Sequence, residues 1–135
     1  MERTFAIIKP DAVKKKFSGK IIDRIEQEGF NIVGLKKMHI ARNEAEAFYE
    51  VHAEKPFYAN LVSFISSGPS IVMVLEKPNA IKAWRDLMGT TNPASAAENT
   101  IRKLYASSID ENAAHGSDAP ETAKEEIAFF FSELS

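Results

Sequence analysis

The sequence contains no cysteine among its 135 residues, and this absence removes several classes of site at once. Disulfide scaffolds, thiol nucleophiles, iron–sulfur clusters and cysteine-based zinc sites all need that residue. Long apolar runs are also missing, because the longest one near the middle covers only residues 71–75, far too few to span a bilayer. The charged start at residues 1–4 is unlike a secretory signal. We therefore expect a soluble, cytoplasmic protein without a membrane partner.

A surplus of either charge is absent as well. The 17 Lys and Arg residues and 19 Asp and Glu residues leave a net charge of −2. This balance argues against a protein that mainly coats nucleic acid, since such proteins carry a basic surplus. The apolar share of 44% and the charged share of 27% are ordinary for globular chains and disfavour disorder. The length predicts one domain over residues 1–135.

The apolar pattern predicts a sheet with helices packed on it. Strands are predicted at residues 4–8, 30–40 and 70–75, the last being a continuous apolar run typical of a strand buried on both faces. Capping signals and helical spacing predict six helices. The first starts at Ser18 and closes at Gly29, the second starts at the pair Asn43 and Glu46, and the third carries Phe57, Leu61, Phe64 and Ile65 on one face. The fourth starts at Asn79 and ends at Gly89, the fifth covers residues 100–105, and the sixth opens at residues 118–121. Pro10 is expected to end a strand or start a turn. The order of the strands is left open by the pattern.

The common phosphate-binding and nucleophile motifs are missing too. The chain has no G-x-x-x-x-G-K-[ST] loop, no G-x-G-x-x-G, no protein-kinase signature set and no G-x-S-x-G elbow. Its histidines, at positions 39, 52 and 115, are too far apart for a local zinc pair. The sequence therefore predicts no metal site held by protein ligands alone.

His115 has the most suggestive neighbours of the three histidines. Small residues flank it within residues 112–118, so its ring is expected to be accessible. From this segment alone, a structural histidine beside a turn is favoured over a catalytic one. His39, at the end of an apolar strand, is interpreted as structural. His52 is interpreted as a helix-end residue whose ring favours the dipole.

Isolated cations and one aromatic ring are ambiguous by themselves. Lys9 follows a strand directly, at a position where sheet proteins often place functional groups. For Arg85 and Arg102, each taken alone, a solvated surface charge is favoured over a phosphate contact. Phe57 fits either a core position or a ring presented to a ligand. The longest polar loop covers residues 89–99, and loops are where function concentrates.

Several short blocks occur together in one order along the chain. They are ERTF at residues 2–5, IIKPDAV at 7–13, GF at 29–30, VG at 33–34, FY at 48–49, PFY at 56–58, SGP at 67–69, RDLMG at 85–89, TNP at 91–93, TIR at 100–102 and NAAHGSD at 112–118. The last block carries the specific signature N-x-x-H-G-S-D. Over essentially its full length the chain resembles the nucleoside diphosphate kinase family, which favours a catalytic His115.

The resemblance implies a ping-pong phosphotransferase. The γ-phosphate of a nucleoside triphosphate, mainly ATP, would move to His115 and then to a nucleoside diphosphate, which maintains the NTP and dNTP pools. A neutral imidazole suits this role because it is available at pH 7 and attacks phosphorus directly. The implied fold is α+β: a single domain with a ferredoxin-like, four-stranded antiparallel sheet covered by helices. Its fourth strand would lie at residues 112–117.

Site roles are implied by matching positions. Glu126 matches the residue that orients the nucleophilic histidine, and Tyr49 matches a tyrosine near it. Lys9, Arg85 and Arg102 match phosphate contacts, and Thr91 matches a residue whose hydroxyl donates to a phosphate oxygen. Asn112, together with Lys9, matches the contact to the ribose 3′-hydroxyl. Phe57 matches the residue whose ring stacks on the base. Mg²⁺ would arrive on the nucleotide phosphates, with no protein ligand set.

The resemblance also implies a homo-oligomer, either a tetramer or a hexamer, with residues 89–99 near neighbouring subunits. Three positions depart from the usual family pattern: Asn99 replaces a common glycine, and Lys103 and Leu104 replace a small residue followed by Asp. All three lie beside Arg102, so they bear on how that side chain is supported.

Two other functions compete with the enzyme. One is a binding or regulatory protein that keeps the fold without turnover, and the departures beside Arg102 are its support. The other is a nucleic-acid-binding module, since ferredoxin-like sheets often bind RNA through stacked aromatics. The net charge of −2 and the lack of an RNP-type aromatic motif disfavour the second, so no obligate nucleic-acid partner is expected.

Overall fold

The computed structural model describes residues 1–134 and places one antiparallel sheet at the centre of the molecule. Its strands are β1 (Glu2–Ile8), β2 (Asn31–His39), β3 (Pro69–Lys77) and β4 (Ala114–Gly116), in the spatial order β2-β3-β1-β4. The helices are α1 (Pro10–Lys14), α2 (Ser18–Gln27), α3 (Arg42–Phe48), α4 (Tyr58–Ile65), α5 (Ala80–Met88), α6 (Ile101–Tyr105) and α7 (Pro120–Phe130), with short 3₁₀ turns at Glu50–His52 and Ser132–Leu134. The predicted α+β fold is confirmed.

Strand β1 supplies both layers of the core because its side chains alternate between the faces of the sheet. Phe5 and Ile7 pack into one buried cluster with residues of α4 and α7, whereas Ala6 and Ile8 pack into the other with residues of α2 and α5. The neighbouring strand β3 is buried from Ser70 to Leu75, as its continuous apolar run predicts. The sheet is therefore covered on both faces.

The first residues of two helices differ from the predicted capping positions. The pair Asn43 and Glu46 does not start α3; the helix begins at Arg42, and the carboxylate of Glu44 accepts a hydrogen bond of 2.9 Å from the backbone N–H of Ala41. Only the second bond of a capping box is therefore present, two positions earlier, because Ala41 has no side-chain oxygen. In α2, Ser18 is the first helical residue, not the cap.

Helix α5 is capped by a residue from another part of the chain. Asn79 precedes the helix in a left-handed conformation, with φ of 55°, and makes no side-chain cap bond within the described residues. Instead, Oε1 of Glu2 accepts a 2.9 Å hydrogen bond from the N–H of Ile81. The prediction of an Asn79 side-chain cap is wrong because the first strand brings a carboxylate to the positive end of the helix dipole.

Two further boundaries matter for the site. Pro10 begins α1, where its missing N–H costs no hydrogen bond. Strand β4 is shorter than the predicted residues 112–117, and it pairs His115 with Ile7. No helix among residues 1–134 is long and apolar enough to cross a membrane.

Gly116 allows β4 to pack closely against α5. A Cβ atom at this position would lie 2.5 Å from Cδ1 of Trp84 and 2.7 Å from Cε of Met88. Trp84 is fully buried, and its indole N–H donates a 3.1 Å hydrogen bond to the backbone oxygen of His115. The glycine after the histidine is therefore required by packing.

We expect Gly116→Ala to lower the free energy of unfolding by about 1–3 kcal/mol, because the added methyl overpacks the contact with Trp84. Urea unfolding followed by circular dichroism measures this loss. Gly19→Ala is the matched control, since a Cβ there meets nothing within 4 Å among the described residues; it should stabilise α2 by roughly 0.5–1 kcal/mol. Equal unfolding midpoints for the two variants would contradict the packing argument.

Candidate active site

His115 stands in the middle of β4, with its side chain about 20% exposed. The edges of two aromatic rings surround the imidazole: the centroid of Phe5 lies 6.1 Å from it and that of Phe48 lies 5.6 Å from it. The strand pairing with Ile7 fixes the backbone. The imidazole is therefore held in place while part of it faces solvent.

Glu126 holds one nitrogen of this imidazole. Nε2 of His115 lies 3.1 Å from Oε1 of Glu126, which projects from α7. Because a carboxylate only accepts hydrogen bonds, this contact assigns the proton to Nε2 and leaves the lone pair on Nδ1. The hydroxyl of Ser117 donates a 2.7 Å hydrogen bond to the same Oε1 and fixes the carboxylate. The predicted pair of His115 and Glu126 is thus brought together.

Tyr49 lies in the same aromatic neighbourhood and is buried. Its ring centroid is 5.1 Å from that of Phe48, which in turn packs on His115. Burial, and then the negative charge of Glu126, raise the pKa of the Tyr49 hydroxyl. The phenol therefore stays neutral beside the carboxylate.

Lys9 and Asn112 form a second pair next to the histidine strand. The ammonium of Lys9 donates a 3.0 Å hydrogen bond to Oδ1 of Asn112, and Nδ2 of Asn112 donates to the backbone oxygen of Ile109. Both side chains are buried. Burial, with repulsion from Arg102, lowers the pKa of Lys9 to about 8, although Asp11 and Asp110 oppose the shift. This pair is a preformed polar contact at the end of β1.

Arg102 is held by backbone oxygens. Its guanidinium donates to the carbonyl of Gly89 at 2.9 Å, to that of Asn112 at 3.3 Å and to that of Ala114 at 2.9 Å. Burial, and then repulsion from Arg85, lower its pKa to about 10, so it is a cation at neutral pH.

The three departures from the family pattern do not remove this support. Lys103 and Leu104 are exposed on α6, while the bonds of Arg102 run to backbone carbonyls. Asn99 adopts φ of 68°, a left-handed conformation that glycine takes freely and that asparagine tolerates better than most residues. Arg24 donates a 2.9 Å hydrogen bond to the Asn99 carbonyl. The loop geometry before α6 is therefore kept.

The nucleotide-binding residues predicted from the sequence line two adjoining hollows. The first, about 370 Å³, is lined by Lys9, Phe57, Asn60, Leu61, Phe64, Thr91, Ile109, Asp110 and Asn112. The second, about 260 Å³, is lined by Arg85, Met88, Gly89, Thr90, Thr91 and Arg102. Because Thr91 lines both, a mostly apolar cleft continues into a hollow with two arginines.

His115 lies near the arginine hollow, although neither hollow is lined by His115, Glu126 or Tyr49. Arg102, which lines that hollow, donates a 2.9 Å hydrogen bond to the carbonyl of Ala114, the residue before His115. Asp118 is an exposed carboxylate three residues after the histidine. Thr122 donates a 2.6 Å hydrogen bond to its Oδ1 and lowers the pKa of this carboxyl.

Sequence reasoning missed part of the cleft wall. The predicted apolar face of α4 divides: Ile65 is buried in the core with Val62, whereas Leu61 and Phe64 join Phe57 in the cleft. Ile109 and Asp110, three and two positions before Asn112, form part of the same wall. Their place next to the signature is the only sequence signal that could have found them.

The other two histidines, His39 and His52, have surroundings that differ from those of His115. Nε2 of His39 donates a 2.6 Å hydrogen bond to the backbone oxygen of Ser66, which confirms a structural role. His52 ends the 3₁₀ turn, and its ring centroid lies 5.5 Å from that of Phe57.

Comparison with known proteins agrees with this geometry. A family model described as "Nucleoside diphosphate kinase" matches residues 2–135. This chain belongs to the nucleoside diphosphate kinase family. A nucleoside diphosphate kinase of Geotalea uraniireducens is 60% identical over 134 residues, covering 99% of this chain and 98% of that protein. One from Trichlorobacter lovleyi is 63% identical over 131 residues, covering 97% and 95%.

Solved structures of the family share the fold. The nucleoside diphosphate kinase of Aquifex aeolicus superposes with a TM-score of 0.96 at 47% identity, covering 98% of this chain and 96% of that one. That of Halobacterium salinarum, solved in complex with CDP, gives a TM-score of 0.92 at 43% identity, covering 96% and 87%. The predicted family, fold and nucleoside diphosphate kinase activity are thereby confirmed.

We expect the dependence of kcat/KM on pH to carry the signature of Lys9. If the protonated ammonium attracts the nucleotide phosphates, as the family resemblance implies, kcat/KM should fall as the pH rises through about 8, the lowered pKa of Lys9. Lys9→Arg keeps its charge over this range. Its kcat/KM, measured from pH 7 to 9.5 and normalised to pH 7, should stay flat. The same decline in Lys9→Arg would assign it to another group.

Proposed function

We propose that this nucleoside diphosphate kinase passes the γ-phosphate of a nucleoside triphosphate, mainly ATP, to a nucleoside diphosphate through a phosphohistidine at His115. The observation that carries the proposal is the contact of Nε2 with Glu126. It leaves Nδ1 as the ring nitrogen with an available lone pair. In the cell this exchange would maintain the NTP and dNTP pools.

The first half-reaction needs no base. The Nδ1 lone pair attacks the γ-phosphorus, an N–P bond forms, and the P–O bond to the β-phosphate breaks in line with it. The bond's electron pair leaves with the nucleoside diphosphate. The Nε2 proton stays on the ring, where Glu126 stabilises the positive charge that develops. In the second half-reaction a terminal β-phosphate oxygen of the acceptor attacks phosphorus, and the N–P bond breaks.

Glu126 and Tyr49 keep the ring in the reactive state. The carboxylate of Glu126 is itself fixed by the Ser117 hydroxyl, so the imidazole does not need to reorient before attack. The neutral phenol of Tyr49 adds no charge beside it. Both residues therefore act on the nucleophile's geometry and electrostatics.

The cationic hollow is proposed to hold the phosphates. Arg85 and Arg102 line it, and Thr91 offers a hydroxyl at its boundary with the cleft. Arg102 uses one N–H on each terminal nitrogen for a carbonyl, which leaves the second N–H of each for a phosphate oxygen. Cations fixed before the substrate arrives stabilise transferring phosphoryl charge without reorganisation.

The larger cleft is proposed to hold the nucleoside. Asn112 and Lys9, already bonded to each other, would bind the ribose 3′-hydroxyl. Phe57 is 45% exposed and lines the cleft, so its ring is free to stack on a base. Stacking is sequence-tolerant because every base has a π-face, which supports broad base acceptance.

Magnesium is proposed to accompany the nucleotide. Among residues 1–134 no three His, Cys, Asp or Glu side chains come together as a metal site, and Mg²⁺ usually keeps several waters and uses substrate phosphates as ligands. Asp118, exposed three residues after His115, is the carboxylate proposed to contact that water shell. Bound there, Mg²⁺ would neutralise phosphate charge.

We also propose a cytoplasmic homo-oligomer, a tetramer or a hexamer, that binds nucleoside di- and triphosphates and needs no nucleic-acid partner. The family resemblance supports assembly. The edge position of β2, which exposes 45% of Leu35, supports it as well, because exposed strand edges favour pairing. Mass measured in solution distinguishes the two assemblies.

We expect His115→Ala to abolish phosphotransfer while keeping the fold, because truncating a partly exposed ring leaves no large cavity. The protein is incubated with γ-labelled ATP and Mg²⁺, and GDP is added afterwards. The natural chain should carry acid-labile label that chases into GTP. His39→Ala, outside the site, should label normally. Label that persists in His115→Ala would assign the phosphorylated residue to another position. A natural chain without label would favour the binding-protein alternative.

We expect Phe57→Ala to weaken every nucleotide by a similar amount, about 1–3 kcal/mol, if the ring only stacks. Loss of a hydrogen bond to one base edge would instead penalise that base far more than the others. The test measures kcat/KM for ATP, GTP, CTP and dTTP as donors. Phe129→Ala is the matched control, because Phe129 is similarly exposed, at 42%, and does not line the cleft. A collapse for one base alone would contradict stacking.

A further inference from the structure

Ala113, two residues before His115, has a backbone conformation that alanine rarely adopts. Its φ is 72°, in the left-handed region where the Cβ atom crowds the backbone. The N–H of Ala114 donates a 2.8 Å hydrogen bond to the carbonyl of Asn112, so residues 112–114 form a tight turn around Ala113. Such strain persists only where surrounding contacts impose it, and it concentrates at functional sites.

The contacts that impose the turn come from the segment after β1. Oδ2 of Asp11 accepts a 3.1 Å hydrogen bond from the N–H of Ala113, and the N–H of Lys9 donates a 2.9 Å hydrogen bond to the carbonyl of Ala113. Ala113 is fully buried and Asp11 is 5% exposed. Because both groups are shielded from solvent, the carboxylate of Asp11 is the partner that satisfies the Ala113 N–H.

We propose that Asp11 is a positioning residue that sets the relative placement of Asn112 and His115 by holding Ala113 in its left-handed turn. The inference rests on the proposed function, since Asn112 and His115 are the residues assigned there to ribose and phosphate. Asp11 itself contacts neither group. It acts through one backbone N–H.

The position of the turn explains why it matters. Asn112 precedes Ala113, and its side chain accepts a hydrogen bond from the ammonium of Lys9. Ala114 follows Ala113 and is the residue directly before His115. Relaxing Ala113 to a negative φ would rotate both flanking peptides. It would also break the pair of carbonyl bonds that Arg102 makes on either side of the turn. A displacement of about 1 Å at reacting groups can cost about 100-fold in rate.

The buried carboxylate of Asp11 lowers the stability of the fold, and packing alone does not explain why this position carries a charged group. Its second oxygen, Oδ1, is buried and has no hydrogen-bond partner among the described residues. Burial raises the pKa of this carboxyl, while the nearby N–H groups of Ala12 and Ala113 and the charge of Lys9 oppose the shift. An apolar side chain of similar size would avoid that burial. The carboxylate is therefore explained by what it holds.

The test is rescue of Asp11→Ala by Ala113→Gly. Asp11→Ala should lower kcat/KM by about 10- to 100-fold, because the nucleophile and the ribose contact lose their relative placement. Glycine takes positive φ without strain. Adding Ala113→Gly to Asp11→Ala should therefore recover most of the loss, and Asp11 should matter much less in the glycine background. Asp11→Asn, which keeps an acceptor oxygen, should retain most activity.

Two readouts separate this role from a general loss of structure. Urea unfolding reports stability, and single-turnover labelling by γ-labelled ATP reports the phosphorylation step. If Asp11→Ala does not fold, Asp11→Ser replaces it, since a serine hydroxyl is too short to reach the Ala113 N–H. A folded double variant that recovers nothing overturns the proposal, as does an Asp11→Asn loss as large as that of Asp11→Ala, which would assign the effect to charge.

The proposed function fails separately from this inference. Label that persists in His115→Ala would refute the phosphohistidine whatever happens at Asp11. Label that forms on His115 in the natural chain, with no rescue by Ala113→Gly, would refute only the role of Asp11.

Discussion

The guanidinium of Arg102 joins three parts of the backbone that the rest of the site depends on. It bonds the carbonyl at the end of α5, the carbonyl that opens the turn before β4, and the carbonyl at the first residue of β4. Bonds from a cation are stronger than neutral ones, and the flat fork of arginine reaches several acceptors at fixed angles. A lysine could not replace this geometry. The exposed residues that follow, Lys103 and Leu104, can therefore vary without loss of support.

Burying the charged ammonium of Lys9 lowers the free energy of unfolding. Lys9 is buried, and its pKa falls from 10.5 to about 8, so between these pH values the unfolded chain binds more protons than the folded one. Stability from this group therefore rises with pH through that window, whereas the attraction for phosphate falls. At neutral pH the buried charge of Lys9 therefore lowers the stability of the fold while no nucleotide is bound. Under the proposed function, bound nucleotide phosphates would offset this loss of stability, so nucleotide is expected to stabilise the fold.

The parts of the fold that could be read from the sequence are those with local causes. The continuous apolar run of β3 predicted a strand buried on both faces, and residues 118–121 predicted the start of α7, which begins at Pro120. Capping was predicted less well, because the carboxylate that caps α5 belongs to Glu2, 79 residues away from Ile81. The residues of α4 divide between core and cleft for a similar reason. The helical period identifies the apolar face, but the elements that pack around α4 decide which part of that face is buried and which part lines the cleft.

The sequence by itself determined the family and the activity and predicted the site residues, because the signature at residues 112–118 and the ordered blocks around it carry that information as residue types. The tertiary structure decided which nitrogen of His115 is free, since Glu126 reaches Nε2 only when α7 packs beside β4. It also decided that Ala113 is strained and that Asp11 holds it, 102 residues away along the chain. Hydrogen bonds between distant segments depend on angles and distances of a few tenths of an ångström, and a one-dimensional pattern does not contain them.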